Sequence, residues 1–202
     1  MRHIRDGGMT SGPADLREKV RQVYSEIAKA PDAEHPVRVG RKVAVRAGYD
    51  EEWLSNAPRV SVEAFAGVSC VPCFAEIEAT AHVLDLGCGA GLDSLLVAEQ
   101  AGSVLGVDFS EAMLSRAETS ARSMGLDNVE FRQGSAEAIP CETDSIDVAL
   151  VNGLFNLNPA RTEIFRELAR VVHPGGLVFA AELILKQPLP EEARRSETDW
   201  FA

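Results

Sequence analysis

The residues of this chain that could do chemistry gather in one stretch, Val83-Leu84-Asp85-Leu86-Gly87-Cys88-Gly89-Ala90-Gly91. A short apolar run enters a loop with glycine at its first, third and fifth places. A dinucleotide-binding loop would carry glycine at the sixth place, where Leu92 stands, and a triphosphate-cradling loop would carry a lysine that is absent. The loop is therefore not built for a pyrophosphate or a triphosphate. It still lets backbone approach a ligand closely, because glycine removes the Cβ. Asp85, two residues before the first glycine, would repel a phosphate and attract an ammonium. Asp108 ends the next apolar run, where an acid can accept both hydroxyls of a ribose. The implied ligand has a ribose and a positively charged amino end. A tight structural turn is the competing reading of the loop, and Asp85, Asp108 and the downstream strands weigh against it.

S-adenosylmethionine has that chemistry: adenosine, a sulfonium and an amino-acid tail. Methyl transfer from it is an in-line displacement at an activated carbon, so aligning the acceptor and excluding water matter most. A general base is not obligatory where the acceptor has a free lone pair. The four histidines, His3, His35, His82 and His173, lie in unrelated contexts, and no catalytic residue or metal site is assigned. Cys70 and Cys73 form a C-x-x-C pair, which can bind metal, cycle as a disulfide or do neither. Cys88 reads as a small packed residue and Cys141 as a lone thiol in a turn.

These residues need elements to position them. Leu16, Val20, Val23, Tyr24 and Ile27 fall at helical spacing, which predicts an amphipathic helix over residues 14–30, stopped by Pro31. Residues 31–48 read as polar and irregular. Asp50 caps a short helix through Leu54, and residues 59–80 are ambiguous. Strands are then expected at 81–86, 103–107, 129–133, 146–151 and 177–185. Helices are expected at 92–100, 111–124, 159–172 and 190–200, with Ser110 and Gly125 capping the second of them. Alternating strands and helices predict an α/β, Rossmann-like fold, a mainly parallel sheet with helices on both faces. Ligands of such sheets bind at the carboxyl edge, where strand order reverses.

The chain has 202 residues, 46% hydrophobic and 25% charged, enough for one domain and an extension. Its 31 acidic against 20 basic residues give a net charge of −11, concentrated after residue 48. Such a body repels phosphate backbones, so nucleic acid is not an expected partner. No apolar run is long enough for a membrane span, and MRHIRDGGMTSGP lacks the apolar stretch of a secretory signal. Four cysteines without a disulfide scaffold suit a reducing, cytoplasmic setting.

The stretches VLDLGCGAG, GVDFSEAML, NVEFRQGSAEAIP, SIDVALVNGLFNLNP and LARVVHPGGLVFAAEL follow one another as in class I S-adenosylmethionine-dependent methyltransferases. Within these the chain resembles the arsenite methyltransferase family over about residues 14–202. The resemblance implies that Asp85, Gly87, Gly89 and Gly91 surround the methionine end. Asp108 would hold the ribose, with Phe109 and Met113 beside the adenine. Ser135, Ala136 and Glu137 match the loop that reads the adenine, and Asn152 and Gly153 close the fourth strand beneath the reacting methyl. The product would be S-adenosylhomocysteine. Cys70 matches one of the family's three arsenic-binding cysteines, and Cys73 stands near it as a second candidate acceptor ligand. The other two family positions carry no thiol: the loop after the fourth strand reads Asn152-Gly153-Leu154-Phe155-Asn156, and the chain stops before the last.

Gly7, Gly8, Gly12 and Pro13 predict a flexible lead-in over residues 1–13; by the same likeness residues 14–80 form a helical extension and lid, with simple packing of 14–30 on the sheet as the competing reading. Residues 81–202 form the cofactor-binding domain, truncated before the usual last two strands. The fifth strand would then be an exposed edge; a truncated fragment, a final helix that covers it and a homodimer compete as explanations, and the homodimer is the one predicted. The expected function is methyl transfer to a small-molecule acceptor, a metalloid among the candidates. The alternatives are a cofactor-binding module without turnover and a thiol-based metalloid-binding protein.

Overall fold

The computed structural model describes residues 13–184. The expected final helix at 190–200 and most of the lead-in lie outside them. Five strands, β1 (His82–Leu86), β2 (Ser103–Asp108), β3 (Val129–Gln133), β4 (Ile146–Asn152) and β5 (Val172–Ala181), form one sheet. Its order is β3-β2-β1-β4-β5, and every neighbouring pair is parallel. Strand order reverses between β1 and β4, so the carboxyl ends of these two strands flank the crevice where such sheets take ligands.

The helices cover both faces, as a parallel sheet requires. Seven lie among the described residues: α1 (Pro13–Lys29), α2 (Arg41–Ala47), α3 (Glu51–Asn56), α4 (Arg59–Glu63), α5 (Leu92–Ala98), α6 (Glu111–Met124) and α7 (Arg161–Val171). Alternate residues of each central strand divide between two cores. Leu84, Leu86, Ala149 and Val151 pack with Ile164, Leu168 and Val171 of α7. Val83, Val148 and Leu150 pack on the other face with Val97 and Ala98 of α5. Burial on both faces explains why these strands read as continuous apolar runs.

Three expectations are corrected. Residues 41–47 are helical rather than irregular, because Ala44 is fully buried among Tyr49, Leu54 and Phe65, and Gly48 caps the helix in the left-handed conformation, with φ 99°. A further helix, α4, starts after Pro58 within the ambiguous stretch and buries Val62. The fifth strand starts at Val172 rather than Leu177 and ends at Ala181 rather than Leu185. Val172 already pairs Ile146, Pro174-Gly175-Gly176 bulge out, and pairing resumes at Leu177 with Val148. It ends where Ala181 meets Asn152, the last residue of β4.

Candidate active site

A cavity of about 450 Å³ opens at the carboxyl ends of β1, β2 and β4. Its floor is the glycine loop between β1 and α5. The loop is tied to β2 by the amides of Gly87 and Cys88, which both donate to the Val107 carbonyl at 2.8 and 3.1 Å. Gly91 has φ 82°, and a Cβ there would lie 2.9 Å from the Ala117 Cβ on α6, so conformation and space both require glycine. Gly87, with φ 79°, lies under Leu154, whose Cδ1 would be 2.9 Å from an added Cβ. Leu92 opens α5 and is buried with Leu54, Phe65 and Cys70, which is why the sixth place holds an apolar side chain.

Three carboxylates lie buried in the wall. Asp108 ends β2 and accepts the Gly89 amide at 2.9 Å and the Ser110 amide at 2.8 Å. Burial raises its pKa to about 6, opposed by those amides and that of Phe109. Asp85 accepts the Ser94 hydroxyl at 2.5 Å. Burial, and then the neighbouring charge of Asp93, push its carboxyl well up. Asp93, in the first turn of α5, accepts the Tyr49 hydroxyl and, at 2.8 Å, the Asn152 amide. Burial raises it too, while those two bonds pull the other way.

The cavity brings together every predicted cofactor residue: Asp85, Gly87, Gly89, Asp108, Phe109, Met113, Ser135, Ala136, Glu137, Asn152 and Gly153 line it, and Gly91 closes the loop behind. Met113 serves two roles, lining the cavity while packing with Ile27 and Ala90. The Ser135 hydroxyl is spent on Glu137. The Glu137 carboxylate also accepts Arg17 at 2.9 Å and Asn158 at 3.0 Å. Although burial pushes Glu137 up, the bonds from Ser135 and Asn158 hold it below the usual range.

The structure does not bring Cys70 and Cys73 to the cavity. Cys70 is buried in the cluster around Leu54, its amide on the Ala47 carbonyl at 2.7 Å, and it is joined to Cys73 in a disulfide. Neither lines the cavity. Cys88 is buried in the loop, and burial raises its thiol pKa. No group of three or more metal-ligating side chains occurs among the described residues.

Sequence reasoning missed Asp93, Tyr49 and the wall segment Phe65-Ala66-Gly67. An acid in the first turn of a helix is ordinary, since it favours the dipole. The available signal was an acid set within the apolar stretch Leu92-Asp93-Ser94-Leu95-Leu96. A further wall is α1, which contributes Arg17, Val20, Arg21 and Tyr24. It is docked by the Arg17–Glu137 pair, by Ser25 on Ser110 at 3.1 Å and by Arg116 on the Ala28 carbonyl at 2.5 Å. Burial, then the charges of Asp108 and Glu182, raise the Tyr24 phenol.

A parallel sheet with a glycine loop after its first strand and a buried acid ending its second is a Rossmann-like arrangement, the one class I S-adenosylmethionine-dependent methyltransferases share. The chain belongs to the methyltransferase domain family, which matches residues 77–201. It is 31% identical over 199 residues to the arsenite methyltransferase of Halobacterium salinarum, covering 90% of this chain and 51% of that one. The demethylmenaquinone methyltransferase of Lactococcus lactis is 37% identical over 103 residues, 50% of this chain and 41% of that one. Among solved structures, an arsenic(III) S-adenosylmethionine methyltransferase from Chlamydomonas reinhardtii matches with a TM-score of 0.62 and 33% identity, over 70% of this chain and 50% of that one. The chain spans about half the length of the curated relatives it matches. The family's cofactor is S-adenosylmethionine and its product S-adenosylhomocysteine. No described helix is long and apolar enough to cross a membrane.

Proposed function

We propose that this chain binds S-adenosylmethionine in the cavity above the glycine loop and transfers its methyl group to a small-molecule acceptor. The observation that carries the reading is the pairing of a glycine loop, too tight for side chains at Gly87 and Gly91, with buried carboxylates whose hydrogen-bond partners are all neutral. That donor set fits a ligand with a diol and a cationic tail and suits no phosphate. When bound, the donor supplies a methyl carbon already activated by its sulfonium.

The chain's own residues bind, orient and exclude water. Gly87 and Gly89 offer backbone to the amino-acid tail, and Asp108 accepts the ribose hydroxyls. Phe109 and Met113 flank the base, and the 135–137 loop borders it. We take α1 as a lid that keeps water from the reacting centre, since its residues form one wall of the cavity. The acceptor meets the walls built by Phe65, Leu154 and Leu157. The arginines of the cavity are engaged, Arg17 by Glu137 and Arg21 by Glu18, which favours a neutral or cationic acceptor over an acid or a nucleic acid. Cys70 and Cys73 do not line the cavity and are joined to one another, which favours an acceptor held without thiolates. We take the protein to act as a homodimer paired through β5; the Cys70–Cys73 disulfide removes the cysteine argument for a reducing, cytoplasmic setting.

Calorimetric titration of the full chain with S-adenosylmethionine, with Asp108→Asn alongside, tests the reading. A hydrogen-bonded charge contributes about 1.5–3 kcal/mol, so the variant should bind at least ten times more weakly while remaining folded. Well-folded wild-type protein that takes up no donor would sink the proposal.

A further inference from the structure

The Cys70–Cys73 disulfide lies outside the cavity, yet it is wired to one of the cavity's walls. Its two sulfurs differ in access. Cys70 is 2% exposed and packs with Tyr49, Leu54, Phe65 and Leu92, whereas Cys73 is exposed. The bridge closes a ring across only Val71 and Pro72. So short a ring removes less entropy from the unfolded chain than a long one, which makes its effect mainly local. Two routes lead from the pair to the wall. Along the chain, Phe65 and Gly67 line the cavity, and the two residues that follow are clipped to the end of β4. Asn152 Oδ1 accepts the Val68 amide at 2.7 Å and the Ser69 amide at 3.3 Å, and Asn152 Nδ2 donates to the Ser69 carbonyl at 2.7 Å. Through space, the Cys70 amide donates to the Ala47 carbonyl at 2.7 Å, and Cys73 Sγ lies 3.8 Å from the Gly48 carbonyl. The next residue, Tyr49, meets Phe65 edge to face with ring centroids 5.1 Å apart, and its hydroxyl donates to Asp93 in the cavity wall.

Resting on the proposed function only for its assignment of this wall to the acceptor, we infer that the pair is a thiol–disulfide exchange site, opened by a dithiol reductant, whose oxidation state sets how firmly the 65–69 wall is held. Exchange requires that an attacking thiolate reach a sulfur, and only the Cys73 end offers one to solvent. The reductant's thiolate attacks the Cys73 sulfur, and the S–S bond breaks with Cys70 leaving as a thiolate that takes a proton. The reductant's second thiol then attacks its own sulfur in the mixed disulfide and releases Cys73, which takes the second proton. The pair gains two electrons and two protons, and the dithiol becomes a disulfide. The Cys73 thiol then has the Gly48 carbonyl within reach as its acceptor. Cys70, no longer tied to it, keeps its place only through its own packing and its amide on Ala47. The oxidised form is therefore the one with the firm wall, and reduction loosens the wall from its far end.

The test treats the native full chain with dithiothreitol, traps it in acid, unfolds it and labels free thiols with a maleimide, while amide hydrogen exchange is followed in parallel. Dithiothreitol should open the bridge without denaturant, so that Cys70 and Cys73 both take label. Exchange at the Val68, Ser69 and Cys70 amides should then rise about tenfold or more, while the amides of β1 keep their rates. Oxidised glutathione, accepting the same two electrons, should restore both. Cys73→Ser, changed at the exposed sulfur, should exchange at the fast rate in either buffer. A bridge that opens only in denaturant, or one that opens with no change at those three amides, would overturn the inference. S-adenosylmethionine titrated into both forms tests the cofactor reading separately. Uptake by neither form would sink that reading and leave the exchange site standing, since the switch is measured on the ligand-free protein.

Discussion

At the residue scale, the cavity holds its charges in reserve. Asp108 is raised from 3.8 to about 6, with burial the main cause. The sign of its linkage follows from the folded state holding the proton more tightly than the unfolded chain. Its contribution to stability is fully present below the unfolded value and is lost as pH rises through about 6. The full loss is of order 3 kcal/mol for a shift of that size. A ligand that needs the ionised acid reverses this. We expect the ligand-free protein to melt at lower temperature at pH 7.5 than at pH 5. S-adenosylmethionine affinity should rise over the same range, with protons released on binding. Calorimetry in buffers of different ionisation enthalpy would detect that release; proton uptake, or affinity falling with pH, would contradict the assignment of Asp108.

At the element scale, the sheet supplies the floor and the N-terminal segments supply the walls. α1 is not needed to complete the sheet, yet Ile27 is fully buried with Ala28, Ala64 and Met113. Met113 also faces the cavity, so the docking of α1 and the shape of the site share one side chain. Ile27→Ala removes buried apolar volume at a cost of about 2–5 kcal/mol where the site cannot collapse. Its expected consequence is faster S-adenosylmethionine dissociation, read by stopped-flow displacement, out of proportion to any change in association. An unchanged dissociation rate would mean that α1 is a passive layer rather than a lid.

At the scale of the whole molecule, β5 pairs only β4 among the described residues; Leu177 and Val178 are exposed on it, and Leu183 and Ile184 just after it. A long apolar edge with free backbone groups is a template for pairing. We expect a dimer by light scattering at tens of micromolar and a monomer on Val178→Lys, a charge placed on the pairing strand. A monomeric wild type would reject β5 as the interface.

The sequence by itself determined the sheet and its ligand edge. Asp85, the glycines and Asp108 were legible because strands buried on both faces read as apolar runs, and the loops that end them carry the residue types their chemistry needs. Local signals also set Asp50 and Ser110 as caps, whose side chains accept the Trp53 and Met113 amides. Only the tertiary structure decided the rest of the wall. α2 and α4 are short, and what holds them helical is burial of Ala44 and Val62 against distant residues rather than periodicity. Asp93 became a site residue because Tyr49, 44 positions earlier, and Asn152, 59 positions later, converge on it. Cys70 and Cys73 looked like acceptor ligands in the chain and were turned to one another by the fold. Motifs formed by neighbours in sequence can be read from the sequence, whereas a wall assembled from segments far apart exists only once the chain has folded.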